Sequence, residues 1–364
     1  MIRAVQLNTD CEGPLCLNDN AFELCRDFMP PHGDKFFTQV SRYDDYLADV
    51  VKKPDYKAGD TLKLILPFLK AYGLTNQQIL DYSLRTMVLV PGAEAAYRFL
   101  HGLGLPIFEI STSYRQFALA VGLKLGFDEA HIFATPLDLD RYSLSTQEAK
   151  YLQQLAVEIA ALPEIRVPDP ALAPADLEGP TQEAIARLDQ IFGELIREME
   201  IGTIYQEVNP VGGSEKERAL VASLAQTGLP MAAAIYVGDS ITDVQAFQAV
   251  RAGGGLAVSF NGNRYAVNHA EIIVIADTVW PVALITTLFR QRGQAAVLGM
   301  ARQGLPADLT ALGLPPEWRA AISGGLQGRE AALYVAGMDP PEQIISQSAA
   351  MRARLRGAAI AALS

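Results

Sequence analysis

IRAVQLNTDCEGPL, residues 2–15, runs an apolar segment into two acids that stand where the segment stops. Asp10 and Glu12 are followed at once by Gly13 and Pro14, which do not readily continue a strand. Residues 2–7 therefore read as a buried strand, with the two carboxylates just past its carboxyl end. Like charges this close disfavour each other's ionisation. The pair is either solvated and idle or in the service of a cationic group.

Four further apolar runs behave the same way: LPIFEI (105–110), AAAIYV (232–237), GLAVSF (255–260) and EIIVIA (271–276). Each ends in a polar or Gly-bearing turn and is followed by a helix-like pattern. Near-continuous apolar strands alternating with helices predict an α/β fold, a parallel sheet covered on both faces. In such sheets ligands bind beyond the carboxyl ends of the strands.

Two long intervals interrupt this alternation. Residues 17–90 read as a series of helices, a cap over the carboxyl edge of the sheet. Residues 135–213 read as a helical insertion: Ser145 and Glu148 form a capping-box pattern ahead of Leu152, Leu155, Ala156 and Ile159. A Pro- and Ala-rich linker (163–180) separates these from a second stripe, Ile185, Leu188, Phe192, Leu195 and Met199. The expectation is two helices packed on one another and on the core, without chemistry. The core itself comprises 1–16 and 91–290. Residues 291–364, rich in Ala, Gly and Leu, read as short helices wrapped around the core or a partner subunit.

The formal net charge of -11 and the absence of any basic run argue against nucleic acid or an anionic membrane as partner. No signal-peptide layout and no bilayer-length apolar stretch is present, so a cytoplasmic location is expected. Cys11, Cys16 and Cys25 read as reduced, structurally incidental thiols, with His32 the nearest histidine.

The chemistry gathers after the strands. Ser111 follows the second run directly, and the run at 232–237 leads into Asp239 and, four residues on, Asp243. If the strands are neighbours, three carboxylates and a hydroxyl converge on one crevice, which requires a cation. Oxygen-only ligands without nearby His or Cys favour Mg²⁺. For Asp239 or Asp243 taken singly, a helix N-cap explains the residue equally well. Lys216, in the first turn of a helix that Ser214 and Glu217 would cap, is either a solvated lysine paired with Glu215 or Glu217 or a group aimed at phosphate oxygens. Arg42, Tyr43, Tyr46 and Arg85 of the cap are within reach of a substrate in principle, with surface positions the simpler expectation for each.

Over residues 1–290 this constellation resembles the haloacid dehalogenase-like (HAD) superfamily of aspartyl phosphotransferases, all four motifs occurring in order. The resemblance implies a HAD-like Rossmannoid sheet with Asp10 as nucleophile and Glu12 as acid/base. It implies Ser111 and Lys216 as phosphate-binding groups. Asp10, the backbone carbonyl of Glu12, Asp239 and Asp243 would hold Mg²⁺. The 17–90 cap is similar to that of the phosphoserine phosphatase-like branch, in which Glu does occur at the second acid. DCEGPL, FNGNRY and the extra segments resemble more narrowly a group that includes archaeal energy-converting hydrogenase-associated HAD-like proteins.

The resemblance thus implies a phosphatase acting on a small phosphorylated metabolite. The alternative is a HAD-fold subunit or sensor acting through a protein partner with little turnover. Glu12 favours phosphoesters over haloacids, because halide leaves carbon without needing a proton. The insertion and the C-terminal extension leave room for a homo-oligomer or a partner protein.

Overall fold

The computed structural model describes residues 3–54, 56–166, 177–338, 341–361 and 363. Its centre is a seven-stranded sheet in the order β3-β2-β1-β4-β5-β6-β7. The strands are β1 (Gln6–Thr9), β2 (Ile107–Tyr114), β3 (Ile132–Thr135), β4 (Ala234–Gly238), β5 (Leu256–Phe260), β6 (Ile272–Ala276) and β7 (Ala331–Val335). All neighbours pair in parallel except β6 and β7. The expected α/β class is thus observed. Strand order turns from leftward to rightward between β1 and β4, which makes the space beyond their carboxyl ends the topological switch point.

Three departures from the sequence reading stand out. The second strand continues to Tyr114, so Ser111 lies within it rather than after it. β3 and β7 were not expected. β7 belongs to the C-terminal extension, which is therefore not wholly helical. Nor does this extension merely wrap the core: Val297, Met300, Trp318, Ile322 and Leu333 are buried in the same apolar cluster as Leu7, Ile107 and Val237.

The cap and the 135–213 insertion likewise do not sit apart. Phe36, Phe68 and Tyr43 of the first share one buried cluster with Leu152, Leu188 and Phe192 of the second. Together they make a single helical body, and the capping box of Ser145 and Glu148 forms as expected. The insertion's helices therefore pack chiefly on the cap rather than on the sheet. Residues 167–176 of the expected linker lie outside the described residues.

Antiparallel β7 sets the course of the chain beyond it. A chain leaving an antiparallel edge strand exits at the amino edge of the sheet, so the next helix must run back towards the carboxyl edge. That helix is Pro341–Arg356, 16 residues and hence about 24 Å long. Ile344 and Met351 pack on Val267, Ile273 and Ile275, and Ser348 donates to the carbonyl of Gly262 at 2.6 Å. No helix of the described residues is long and apolar enough to cross a membrane.

Candidate active site at the carboxyl edge of the sheet

Period-2 alternation points Gln6, Asn8 and Asp10 to one side of β1. That side faces the helix Ser214–Thr227, whose Lys216, Leu220, Ser223 and Thr227 share one stripe at helical spacing. Gln6 Nε2 donates to Ser223 Oγ at 2.8 Å, Thr227 Oγ1 to Gln6 Oε1 at 2.7 Å, and Lys216 Nζ to Asp10 Oδ2 at 2.5 Å. Strand and helix are thus joined by a polar seam that ends in an ion pair.

Lys216 is fully buried and also donates to Asp243 Oδ1 at 2.6 Å. The solvated-lysine alternative is therefore excluded. Nor do Ser214 and Glu217 cap the helix: Gly213 is its N-cap, with no side-chain capping bond. Burial disfavours the ammonium, yet Asp10 and Asp243 outweigh it and raise its pKa above the ordinary lysine value.

Asp243 spends both oxygens. Oδ1 accepts from Lys216 and from the Tyr236 hydroxyl at 2.8 Å, while Oδ2 accepts from the amides of Asp239 and Ser240 at 2.9 and 3.0 Å. It forms a capping box with Ser240, so its N-terminal capping role and its place in the acid cluster coexist. Asp239 follows β4 and is 3 % exposed. Gly13 makes room for it, since a Cβ there would lie 2.2 Å from Asp239 Oδ2, and its φ of 96° is itself in the region glycine favours.

Asp10, Asp239 and Asp243 each offer an oxygen within 4.8 Å of the others. Burial pushes Asp10 up to about 7, against the opposing pull of Lys216. An all-carboxylate donor set this tight, with no thiol or imidazole in it, suits a hard divalent cation bound through oxygen.

Glu12 lines the cavity above these acids, and its Oε1 accepts from the amide of Asn20 at 2.8 Å. Burial first, then the neighbouring Asp19, pushes its carboxyl up to about 8. Ser111 is fully buried, its Oγ accepting from the amide of Ser113 at 3.1 Å. Thr112 and Ser113 line the cavity, while Ser111 and Lys216 do not. None of Arg42, Tyr43, Tyr46 and Arg85 reaches it. Tyr43 and Tyr46 are buried in the cap rather than on the surface, Arg42 pairs with Glu164, and Arg85 is exposed.

The cavity, about 120 Å³, lies between these strand ends and the cap, which contributes Phe37, Ser41, Asp44 and Asp45. Its two basic residues among those described were missed from sequence. Arg352 and Arg356, 5–6 % exposed at the side chain, both pair with Asp239 Oδ2, the latter at 3.2 Å. Arg356 also donates from Nε to the carbonyl of Leu17 at 3.1 Å and from Nη2 to that of Asn18 at 2.6 Å. A signal existed: Ile344, Ser348, Met351, Arg352 and Leu355 form one helical stripe, and arginine on a buried stripe demands an anionic partner.

The three cysteines are buried and free, with Sγ of Cys11 and Cys16 3.9 Å apart. Among the described residues, Asp10, Asp239 and Asp243 form the acid group able to hold a metal ion.

No family model matches the chain, and no curated protein matches it. Among solved structures it is similar to gene product AF1437 from Archaeoglobus fulgidus, with 30% sequence identity and a TM-score of 0.78. The match covers 98% of each chain.

Proposed function

We propose that this chain, which belongs to the same family as the Archaeoglobus fulgidus gene product AF1437 along nearly its whole length, is a Mg²⁺-dependent phosphatase of a small phosphorylated metabolite. The observation that carries the reading is Asp10 at the switch point. It is held at 2.5 Å by a buried lysine, with two further carboxylates within 4.8 Å and a proton-retaining Glu12 two residues away. The HAD resemblance likewise casts Asp10 as nucleophile and Glu12 as acid/base, but it gives the phosphate to Ser111 and Lys216, which do not line the cavity; a cytoplasmic location fits a metabolite substrate.

Asp10, the main-chain carbonyl of Glu12 and Asp239 would hold the cation, with Asp243 fixing the loop through the amides it accepts. Bound there, Mg²⁺ supplies charge that steadies the phosphate oxygens. Asp10 attacks phosphorus, an Asp10 O–P bond forms, and the bond from phosphorus to the ester oxygen breaks. Glu12, protonated at neutral pH, passes its proton to that leaving oxygen. As a carboxylate it then takes a proton from water, whose oxygen attacks the aspartyl-phosphate and frees Asp10 and inorganic phosphate. Lys216 favours the ionised, attacking form of Asp10 against the effect of burial and orients its Oδ2.

A screen of phosphorylated metabolites with and without Mg²⁺ tests the reading. Release of inorganic phosphate that stops with chelator and returns with Mg²⁺ supports it. Absence of turnover across the panel, with a stoichiometric protein partner copurifying, would favour a subunit or sensor instead.

A further inference from the structure

The cations that face the cavity are not the one the sequence singles out. Lys216 is fully buried, lines no part of the cavity, and is spent on Asp10 and Asp243. Among the described lining residues the basic groups are Arg352 and Arg356, set against Asp10, Glu12, Asp19, Asp44, Asp45 and Asp239. Of the cavity's own charged groups, these guanidiniums are the ones that attract an anion.

They are held by the fold, not by a loose tail. The helix that bears them is anchored through Ile344, Met351 and the bond from Ser348 to Gly262. Arg356 is further fixed by the carbonyls of Leu17 and Asn18. A guanidinium presents five N–H donors in a planar fork that matches phosphate geometry. Arg356 spends three of its nitrogens' donors on Asp239, Leu17 and Asn18, so part of its fork remains for a ligand.

Charge points the same way. Buried Asp10, Asp239 and Asp243 are matched by buried Lys216, Arg352 and Arg356, so this inner shell is already neutral. A divalent cation added to it calls for a dianion beside it. Both guanidiniums converge on one oxygen, Asp239 Oδ2. A cation that draws on Asp239 loosens its hold on both guanidiniums.

We propose that Arg352 and Arg356 form the oxyanion-binding pair of this site, receiving the substrate's phosphate on the Asp239 side of the cavity. The C-terminal helix is then part of the active site rather than a docking surface for a partner. The proposal rests on the phosphatase reading above and adds to it residues outside the four motifs.

Titration calorimetry on the full chain tests it, with inorganic phosphate as probe at saturating Mg²⁺ and, separately, with Mg²⁺ alone. Losing a charge-assisted bond to phosphate should cost Arg352→Gln about ten- to a hundredfold in phosphate affinity. Mg²⁺ alone should bind this variant as tightly as wild type or more tightly, since Asp239 has lost a competing cation. Arg352→Lys should recover part of the phosphate affinity by keeping the charge without the fork.

Unchanged phosphate affinity in Arg352→Gln overturns the proposal. So does an equal loss of phosphate and Mg²⁺, which would make the arginine a support for Asp239. Should Arg352→Gln not fold, Arg352→Lys decides: weakened phosphate with intact Mg²⁺ binding is the expected result, and no weakening overturns it. A wild type that binds Mg²⁺ but not phosphate overturns this inference and leaves the metal site standing. A wild type that binds neither overturns the phosphatase reading and the inference with it.

Discussion

Arg356 and Asp239 meet through Nη1 and Oδ2 at 3.2 Å, while the same guanidinium grips the carbonyls of Leu17 and Asn18. One side chain therefore ties the carboxylate after β4 to the loop after β1, across the two strand ends that flank the switch point. This one residue contributes to charge, loop position and cavity wall alike.

Asp10→Asn removes the attacking oxygen while Lys216 keeps Asp243 as a partner. The variant should fold and lose turnover by more than about 10⁴-fold. Beryllium fluoride should form its adduct with Asp10 in the wild type, as seen by crystallography or fluorine NMR. An adduct on a different carboxylate would refute the assignment.

Lys216→Met leaves Asp10 and Asp243 buried without their shared cation. Breaking a buried pair from one side costs about 3–5 kcal/mol, so the urea midpoint should fall well below that of wild type. Because a bound cation would replace the missing charge, Mg²⁺ should raise the melting temperature of this variant more than that of wild type. A variant as stable as wild type without Mg²⁺ would mean that the pair contributes little.

Glu12→Gln should discriminate between leaving groups. An alkyl phosphate needs a proton on its departing oxygen, and general acid catalysis contributes about 10²–10⁴-fold. Para-nitrophenyl phosphate leaves unaided. Rapid-quench kinetics should therefore show a large loss in the first step with the alkyl ester and a small one with the aryl ester. Hydrolysis of the intermediate should slow equally for both, giving a burst of nitrophenolate. Equal first-step losses would assign the proton to another group.

Glu23 offers a test of stability against pH. Burial raises its carboxyl to about 7, with Asn18 opposing through bonds at 2.8 and 3.0 Å. Its folded pKa lies above the unfolded value of 4.5, so the stability it confers is full below 4.5 and is lost as pH rises through about 7. Glu23→Gln should match wild type in stability near pH 4 and exceed it by a margin that grows up to about pH 7 and then levels off. Denaturant melts across this range measure it. A constant difference between the two proteins would refute the shift.

The parallel strands and the acids after them were legible because both signals are local. A run such as AAAIYV can only be buried, and Asp239 follows it directly. β3 and β7 were not: IFAT is four residues long, and the alanines of AALYV sit in an Ala-rich segment that reads as helix. Lys216 was legible as a cation near a helix start, but its burial depends on Gln6 and Asn8 facing Ser223 and Thr227, a long-range match. Arg352 and Arg356 were hidden for a compounded reason. Their arrival depends on β7 being antiparallel, and that comes from pairing with β6 rather than from their own segment. The union of cap and insertion was equally out of reach, because it depends on which distant apolar stripes meet.

Leu17 and Arg356 are 339 positions apart in the chain. At a synthesis rate of about 5–20 residues per second, the loop that carries Asp10 and Glu12 is made about 20–70 seconds before the side chain that pins it. During that interval Asp239, once made, also lacks its two guanidinium partners. The nascent chain can assemble its central strands and seat Asp10 and Asp243 on Lys216 while Asp239 stays without its arginines, so the Asp239 side of the site should acquire its final geometry only once Arg356 has been made.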